Sequence, residues 1–298
     1  MKYFNISIDF EDLHRFNKTL GNVTPNNKDE NSAFENAIPR FIDLFKKHEI
    51  HATFFITGEE VNKKPVNRRL VKRLHDAGHE IANHTYHHYF NFSDLPFTTK
   101  ENEILDCHKL LEDITGDKVV GYRAPCYDID QDTLDILRDN SYLYDSSLYR
   151  SWIRPLQQVG YCLWNLARGK KPGRWRKMGC DNLSFSLLKI PIPMCGFFQL
   201  PFYSTLVLHL GLNYFNWAYS NINERDLFTF ELHSIDLIDY HKDLVAEHYK
   251  DLVSHPAMKL RNEEKLAMFN EIFTRFRKDY ESVTLKEYAN ENIHHHSR

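Results

Sequence analysis

Short apolar runs alternate with stretches of helical periodicity over the first 140 residues of the chain. Apolar runs of strand length occur at 3–9, 52–57, 80–83 and 119–122, and helical spacing occurs at 33–48, 67–77, 99–115 and 131–140. Gly78 and Gly116 directly follow two of these helices and are typical C-terminal stops. Strands that alternate with helices predict a parallel sheet that closes toward a barrel, with functional residues at the carboxyl ends of the strands.

Residues 150–225 interrupt this alternation. A basic run comes first, and no Asp, Glu, Lys or Arg then occurs between Lys189 and Glu224, an interval rich in Phe, Tyr, Trp and Leu. Pro191, Pro193 and Pro201 argue against one uninterrupted membrane-spanning helix. Aromatic rings and basic side chains settle at the level of lipid headgroups, so the segment predicts contact with an anionic membrane surface. The alternative is that the aromatic residues pack into the core and the basic run is a solvated loop. The basic residues are Arg168, Lys170, Lys171, Arg174, Arg176 and Lys177.

The composition bounds the class of protein. With 298 residues, 42% hydrophobic and 27% charged, the chain can form one large domain, which we place at 1–290 with an insertion at 150–225 and a disordered tail at 291–298. A net charge of -3 gives no global nucleic-acid signature. Five cysteines without paired spacing, and a start without a charged-then-apolar leader, favour a reducing, cytoplasmic compartment.

Two separate stretches combine residue types that bind metals. Asp9 and Glu11 follow an apolar run, and on a strand they point to one side while Phe10 points into the core. His84 and His88 lie four residues apart, which predicts one side of a helical turn. Two imidazoles and a carboxylate form a ligand set that leaves metal positions open for water and substrate. In a chain with 17 histidines, an isolated pair of histidines at this spacing is more often structural than metal-binding. The remaining motifs therefore decide between these two interpretations.

The order of the further motifs carries a family resemblance. After His84-Thr85 and His88 come Arg123-Ala124-Pro125, then Tyr144-Asp145-Ser146-Ser147, then Leu232-His233. The set resembles the polysaccharide deacetylases of the NodB type, carbohydrate esterase family four, over residues 3–150 and 226–290. The resemblance implies a distorted (β/α) barrel. It also implies a metal-dependent hydrolase, with zinc expected, that removes an N-acyl group from an amino sugar.

Roles for the acidic and histidine motifs follow from this resemblance together with the strand argument. Asp9 is the catalytic base, and Glu11, His84 and His88 hold the metal. Asp12 is the alternative carboxylate ligand if the first strand ends early. The usual family motif has two adjacent Asp residues, whereas Asp9 and Glu11 are separated by one residue here.

The later motifs complete the expected site. Arg123 pairs with Asp9 and keeps it ionised, and His233 protonates the leaving amine. Pro125 and Tyr127 line the groove, where a backbone N–H near Tyr127 is expected to bind the oxyanion. The Asp-Trp motif of the family has no clear counterpart in this chain. The residue that orients His233 is therefore open, with Asp145 and Asp236 as candidates.

A particular branch of the family suggests the substrate. The acidic motif, the context of Asp145 and the apolar insertion resemble the enzymes that deacylate sugars carried on undecaprenyl phosphate. These include the aminoarabinose deformylases and the N-acetylgalactosamine deacetylases of lipid A modification. The resemblance implies an undecaprenyl-phosphate N-acetylhexosamine, with N-acetylgalactosamine expected, and a peripheral position at the cytoplasmic face of the inner membrane. Arg174 and Arg176 would then contact the carrier phosphate.

Two other functions stay open from the sequence. A soluble metal-dependent amidase would act on a small amide or a free acetylated sugar, and residues 190–223 would then be a buried cap. A membrane-bound sugar-binding protein that has lost turnover is the non-enzymatic alternative. The joint presence of Asp9, His84, His88, Arg123 and His233 argues against it.

Overall fold

Eight strands of a curled sheet organise the chain. In the computed structural model, the described residues are 2–15, 31–149, 187–197, 199–222, 226–244 and 252–296, with single positions 159, 163, 166 and 249. The strands within these residues are β1 Tyr3–Phe10, β2 Thr53–Ile56, β3 Glu80–Asn83, β4 Gly121–Tyr122, β5 Tyr144–Asp145, β6 Leu188–Lys189, β7 Met194–Cys195, β8 Leu200–Pro201, β9 Leu227–His233 and β10 Glu281–Ser282.

The main sheet has the order β10-β1-β2-β3-β4-β5-β6, and β9 also pairs with β1. Every pairing in it is parallel, whereas the small β7–β8 sheet is antiparallel. The sheet curls into a half-barrel, which confirms the predicted distorted barrel. The carboxyl ends of the strands therefore meet at one edge.

Helices cover the outside of this sheet. The described helices are α1 Ile38–Lys47, α2 Gly58–Lys63, α3 Pro65–Asp76, α4 Phe97–Thr115, α5 Gln131–Asp139, α6 Ser204–Ser220, α7 Tyr240–Asp243, α8 Pro256–Lys259, α9 Asn262–Asp279 and α10 Leu285–His296. A π-helical turn, Ala33–Ala37, leads into α1. Gly78 and Gly116 have φ of 88° and 78°, so both predicted helix stops are confirmed at left-handed glycines.

The apolar part of the insertion packs mostly into the core. Phe202 and Phe215 are fully buried and stack with their ring centroids 5.9 Å apart, against β9 and α9. The core-packing alternative therefore describes these aromatic residues. Phe197, Leu210 and Trp217 are the large apolar side chains of this segment that stay exposed among the described residues. No described helix is long and apolar enough to cross a membrane.

Glu80 is a buried carboxylate at the amino end of β3, opposite the edge where the carboxyl ends of the strands meet. Glu80 accepts hydrogen bonds from the Tyr144 hydroxyl at 2.7 Å, the Thr53 hydroxyl at 2.8 Å and the Lys286 backbone N–H at 2.9 Å. It thereby joins β2, β3 and β5 to the start of α10. α10 continues to His296, six residues into the segment for which the sequence predicts a disordered tail.

Candidate active site

The carboxyl edge of the sheet collects the residues that the sequence singled out. Glu11 directly follows β1, His84 follows β3, Arg123 follows β4, and His233 ends β9. Asp9 and His233 are register partners on the paired strands β1 and β9. Strand pairing alone therefore brings residues more than 200 positions apart into one site.

His84 and His88 come together through a loop, and the predicted helical turn is wrong. Thr85 and His88 have φ of 65° and 53°, in the left-handed region that non-glycine residues rarely adopt. The His88 N–H donates to the Thr85 hydroxyl at 3.1 Å, which closes the turn. The two imidazole centroids lie 4.9 Å apart. The two rings are neighbours because of this tight loop, which an i,i+4 pattern cannot distinguish from a helix.

Residues that the sequence reasoning missed hold the loop in place. The side-chain Oδ1 of Asn83 accepts the Thr85 N–H at 2.8 Å, and the Glu103 carboxylate accepts the His87 N–H at 2.7 Å. Arg15 donates to the His87 carbonyl oxygen. Of these three residues, only Asn83 could have been identified from the local sequence, because an Asn at the end of a strand favours a turn. Glu103 and Arg15 reach the loop from distant elements.

The donors at this edge fit a divalent cation. Glu11 Oε2 lies 3.5 Å from His88 Nε2, and Asp9 Oδ2 lies 3.7 Å from His84 Nε2. His84 Nδ1 lies 2.7 Å from the Arg123 carbonyl oxygen, so a protonated Nδ1 donates there and Nε2 keeps its lone pair for the site. Glu11 Oε2 is buried without a hydrogen-bond partner among the described residues. Oxygen and nitrogen ligands of one tetrahedral zinc lie about 3.3–3.5 Å apart, so the Glu11–His88 spacing matches and the Asp9–His84 spacing is slightly longer. Among the described residues, Asp9, Glu231 and His233 form a group whose ligand atoms all lie within 4.8 Å of one another.

The protonation states of these donors depend on burial. Burial raises the pKa of Glu11 to about 8. Burial also lowers the pKa of His84, and it lowers the pKa of His88 still further together with the nearby His84. Neutral imidazoles are the form that binds metals, whereas Glu11 must release a proton to do so.

Asp12 lies in the turn that follows β1, and its Oδ2 is buried without a hydrogen-bond partner among the described residues, as is Oε2 of Glu11. β1 ends at Phe10, which is the condition under which Asp12 was the alternative ligand. Asp12 Oδ1 accepts the His14 N–H at 3.0 Å and so caps the turn that follows the strand. Glu11 is the carboxylate that lies beside His88.

Arg123 is fully buried and joins several strands around Asp9. Its Nη1 donates to Asp9 Oδ1 at 2.6 Å, and its Nη2 donates to the hydroxyls of Ser7 at 3.0 Å and Ser146 at 2.9 Å. The guanidinium carbon lies 4.1 Å from the centroid of the Phe55 ring, a cation–π contact. Burial raises the pKa of Asp9, but Arg123 outweighs it and holds that pKa well below its usual range. The expected pairing of Arg123 with Asp9 is therefore present.

Glu231 is a buried acid of the site that the sequence reasoning did not identify. It lies two residues before His233 on β9, so both side chains point to the same face. Glu231 Oε1 lies 3.6 Å from Arg123 Nη1 and 4.0 Å from His233 Nε2. The Tyr127 hydroxyl contacts both of its carboxylate oxygens at 2.5 Å. The alternation of residues 229–233 could have indicated Glu231, had the face of His233 been followed back along the strand.

The turn after Arg123 differs from the expectation. Pro125–Tyr127 forms a 3₁₀ turn in which Cys126 and Tyr127 have φ of 52° and 59°. The Tyr127 N–H donates to the Ala124 carbonyl oxygen at 3.0 Å, so this N–H is not itself directed at a substrate oxyanion. The Tyr127 ring lies beside the site and stacks on Tyr149 at 5.3 Å. The basic run 168–177, with Arg174 and Arg176, lies outside the described residues.

The two candidates for orienting His233 are separated by the structure. Asp236 accepts the His233 backbone N–H at 2.9 Å and the Ser204 hydroxyl at 2.5 Å. Asp145 instead accepts the Ser147 hydroxyl at 2.5 Å. The Ser147 hydroxyl in turn accepts the Ala124 N–H of the Arg-x-Pro motif at 2.8 Å, so Asp145 contacts that motif through Ser147, whereas Asp236 contacts the backbone of His233.

Comparison with known proteins places these motifs in a family context. Residues 27–144 match the family model described as polysaccharide deacetylase. A peptidoglycan deacetylase of Helicobacter pylori is 30% identical over 162 residues, which cover 53% of this chain and 53% of that protein. A peptidoglycan deacetylase-like protein of Gibberella zeae is 34% identical over 148 residues, 47% of this chain and 40% of that protein. The chain thus spans about half the length of the curated relatives it matches.

Solved structures agree on the fold. A Mycobacterium smegmatis protein described as a candidate polysaccharide deacetylase has a TM-score of 0.59 at 15% identity, over 97% of this chain and 89% of that chain. The Xyl-CE4 domain of a multidomain xylanase from the hindgut metagenome of Trinervitermes trinervoides has a TM-score of 0.52 at 12% identity, over 98% and 91%. These two matches show the same fold, and the family model and the relatives show the similarity to polysaccharide deacetylases.

Proposed function

We propose that this chain is a metal-dependent N-deacetylase that hydrolyses the acyl amide of an amino sugar. The observation that carries the proposal is the convergence of an arginine-paired Asp9, the Glu11–His88 and Asp9–His84 donor pairs, and His233 at one edge of the sheet. The family model and the relatives named as peptidoglycan deacetylases support the reaction class.

Each residue of the site has a separate task in the proposed reaction. Glu11, His84 and His88 would hold a divalent metal, with zinc expected, and that metal would supply Lewis acidity to the acyl oxygen and a more acidic water. Asp9 accepts a proton from the attacking water, because Arg123 keeps its carboxylate ionised. His233 donates a proton to the amide nitrogen, and the C–N bond breaks to give a carboxylate and a free amine.

A lipid-linked substrate is the finer part of the proposal. We infer a polyprenyl-phosphate N-acetylhexosamine, with N-acetylgalactosamine expected, bound at the cytoplasmic face of an anionic membrane. The exposed Phe197, Leu210 and Trp217 support contact with a lipid surface, and the basic run of residues 168–177 supports contact with phosphate. The burial of Phe202 and Phe215 favours the soluble amidase instead, since it leaves a smaller apolar surface.

A mass-spectrometric assay separates these substrates. The purified protein, freed of metal with EDTA and then given one equivalent of zinc, is incubated with undecaprenyl-phosphate N-acetylgalactosamine, a peptidoglycan disaccharide or free N-acetylgalactosamine. We expect loss of one acetyl group from the lipid-linked sugar, and no loss with the His84→Ala protein. Deacetylation of the peptidoglycan fragment alone would move the substrate to the class named for the relatives. Turnover of the free sugar alone would support the soluble amidase.

A liposome assay tests the membrane contact. Binding to vesicles with anionic lipid should be strong at low salt and weaken as salt screens the basic run. Replacing Lys170, Lys171, Arg174 and Arg176 with Gln should weaken binding and lower turnover of the lipid-linked sugar. The same variant should retain turnover of a short acetylated sugar. Equal losses on both substrates would assign the basic run to the fold or the site, and absent binding at low salt would contradict the membrane position.

A further inference from the structure

A cavity of about 250 Å³ lies beside the candidate active site, at the same edge of the sheet. One wall is the turn after β1, which continues directly from Glu11, and the other is the junction of α2 and α3, which follows β2. A water molecule occupies about 30 Å³ in the liquid, so the cavity has room for roughly eight waters or for one ring-sized ligand. The residues that line it are Asp12, His14, Glu60, Lys63, Lys64 and Asn67.

Asn67 is the residue of this lining that points to a ligand. It is 2% exposed, and its Nδ2 donates to the Glu60 carbonyl oxygen at 2.8 Å. A carbonyl oxygen can only accept, so this contact fixes which end of the amide is the nitrogen. The other end, Oδ1, is buried and has no hydrogen-bond partner among the described residues. Buried acceptors of this kind are rare in native proteins, and the cavity that Asn67 lines is where a donor can enter.

The carboxylate of Glu60 does not make the cavity a cation site. Its Oε1 accepts from Arg15 Nε, and its Oε2 accepts the Thr57 hydroxyl at 2.6 Å. The guanidinium therefore balances the charge of this acid, and it would repel a divalent cation placed beside it. The donor expected at Asn67 is thus a neutral hydroxyl or N–H group.

Two lysines lie on the solvent side of the lining. Lys63 is exposed and pairs with Glu59 at 3.1 Å. Lys64 is half-buried, and within the described part of the chain its side chain forms no ion pair. Lys64 is therefore available to an anionic group on a ligand that occupies the cavity.

The cavity is connected to the residues proposed to hold the metal. Asp12 directly follows Glu11 in the chain. Arg15 donates both to Glu60 and to the carbonyl oxygen of His87, inside the loop that carries the two histidine ligands. A ligand in the cavity is thus held between two segments that carry proposed metal ligands.

We propose that this cavity binds the ring hydroxyls of the amino sugar that is deacetylated, with Asn67 Oδ1 as the acceptor for one hydroxyl and Lys64 as the contact for an anionic substituent. The identity of the sugar rests on the proposed function. Sugar hydroxyls fit the site because each can donate to a buried oxygen without adding charge. A site built to hydrogen-bond a substrate hydroxyl rejects an analogue that lacks it, so Asn67 is a specificity-determining residue.

Binding of the deacetylated product can be measured without turnover. The purified protein is mixed with galactosamine or galactosamine 1-phosphate, and saturation-transfer NMR gives the dissociation constant of each. We expect the 1-phosphate to bind about fivefold more tightly, as a partly exposed ion pair allows, and Lys64→Gln to remove that difference. Asn67→Ala should weaken binding of both sugars about tenfold. Lys72→Gln, at a more exposed lysine of α3 that pairs with Asp76, is the matched control and should bind both sugars as the parent does.

Deoxy sugars identify the hydroxyl that Asn67 accepts. The values of kcat/KM are measured for the substrate that the parent hydrolyses and for its 3-deoxy, 4-deoxy and 6-deoxy analogues. In the parent, one analogue should lose about tenfold in kcat/KM. Asn67→Ala should lose a similar factor on the complete sugar and nothing further on that analogue. Asn67→Asp also loses the bond to the Glu60 carbonyl oxygen but keeps an acceptor oxygen, so it should still discriminate against the same analogue.

Four results would overturn the inference. They are no saturation transfer from the parent to either sugar, equal affinities of the parent and Asn67→Ala, displacement of the sugar by stoichiometric calcium, and the same loss on every sugar in both Asn67 variants. The last of these would make Asn67 structural. A protein that binds galactosamine through Asn67 but releases no acetate would support the cavity and refute the proposed function, so the two failures are distinguishable.

Discussion

Replacing Glu11 with Gln should stabilise the metal-free protein above neutral pH while abolishing metal binding. Glu11 is 4% exposed, and its Oε2 has no hydrogen-bond partner among the described residues. Burial raises its pKa from 4.5 to about 8. The native state therefore keeps a proton on Glu11 over a range in which the unfolded chain has lost it. Gln has nearly the same shape and carries no charge at any pH.

The sign and magnitude follow from proton linkage. Because the folded pKa is raised, the contribution of Glu11 to stability is fully present below pH 4.5 and is lost as the pH rises to about 8. In that window each pH unit costs the parent about 1.4 kcal/mol relative to a residue that does not titrate. The difference in free energy of unfolding between Glu11→Gln and the parent should thus grow by about 2 kcal/mol, in favour of the variant, from pH 6.5 to pH 8.

Urea denaturation of both EDTA-treated proteins, followed by circular dichroism at several pH values, measures this difference. The buried histidines also change the pH dependence, but their contribution largely cancels between the two proteins. Glu281→Gln, at an exposed position, is the control. Its free energy of unfolding should change with pH in the same way as that of the parent. Parallel curves for Glu11→Gln as well would refute the idea that Glu11 is a buried, protonated acid. Stoichiometric zinc in Glu11→Gln by elemental analysis would refute its role as a ligand.

Further substitutions test the other roles. His84→Ala should lose metal and activity together, as measured by elemental analysis and turnover, and retained stoichiometric metal would make the ligand set wrong. Asp9→Asn should keep the metal and lose about 100- to 10,000-fold in kcat as a general base, whereas metal loss would make Asp9 a ligand. Arg123→Lys keeps the charge but loses the fork that binds Ser7 and Ser146, so urea denaturation should show a stability loss of about 3 kcal/mol. One hydrogen bond contributes about 0.5–1.5 kcal/mol. A free energy of unfolding within about 1 kcal/mol of the parent's would therefore contradict the importance of that fork.

The alternation of strands and helices was predictable because each element is short and has a strong local signal. β3 has the predicted bounds, and α4 ends at Gly116 as expected. The barrel then follows from connectivity, since parallel neighbours need crossover helices. The same logic placed His84 and Arg123 at one edge without any knowledge of the side-chain contacts.

The path between His84 and His88 was not predictable from their spacing. The loop depends on Glu103 from α4 and on Arg15 from beyond β1, and neither has a sequence relation to the His pair. Spacing alone therefore identified two imidazoles that lie side by side but predicted the wrong backbone between them.

Glu231 shows why a site cannot be completed from motifs alone. A motif is a local pattern, but the grouping of Glu231 with Asp9, Arg123 and His233 arises only when strand pairing brings β1, β9 and the end of β4 together. Tyr127 then becomes a partner of Glu231 through a turn with left-handed backbone at Cys126, a conformation that no residue type in that turn requires. Charge balance at a buried edge is a property of the folded arrangement. An acid two residues away on the same strand face is therefore a position to examine whenever a motif places a histidine at the carboxyl end of a strand.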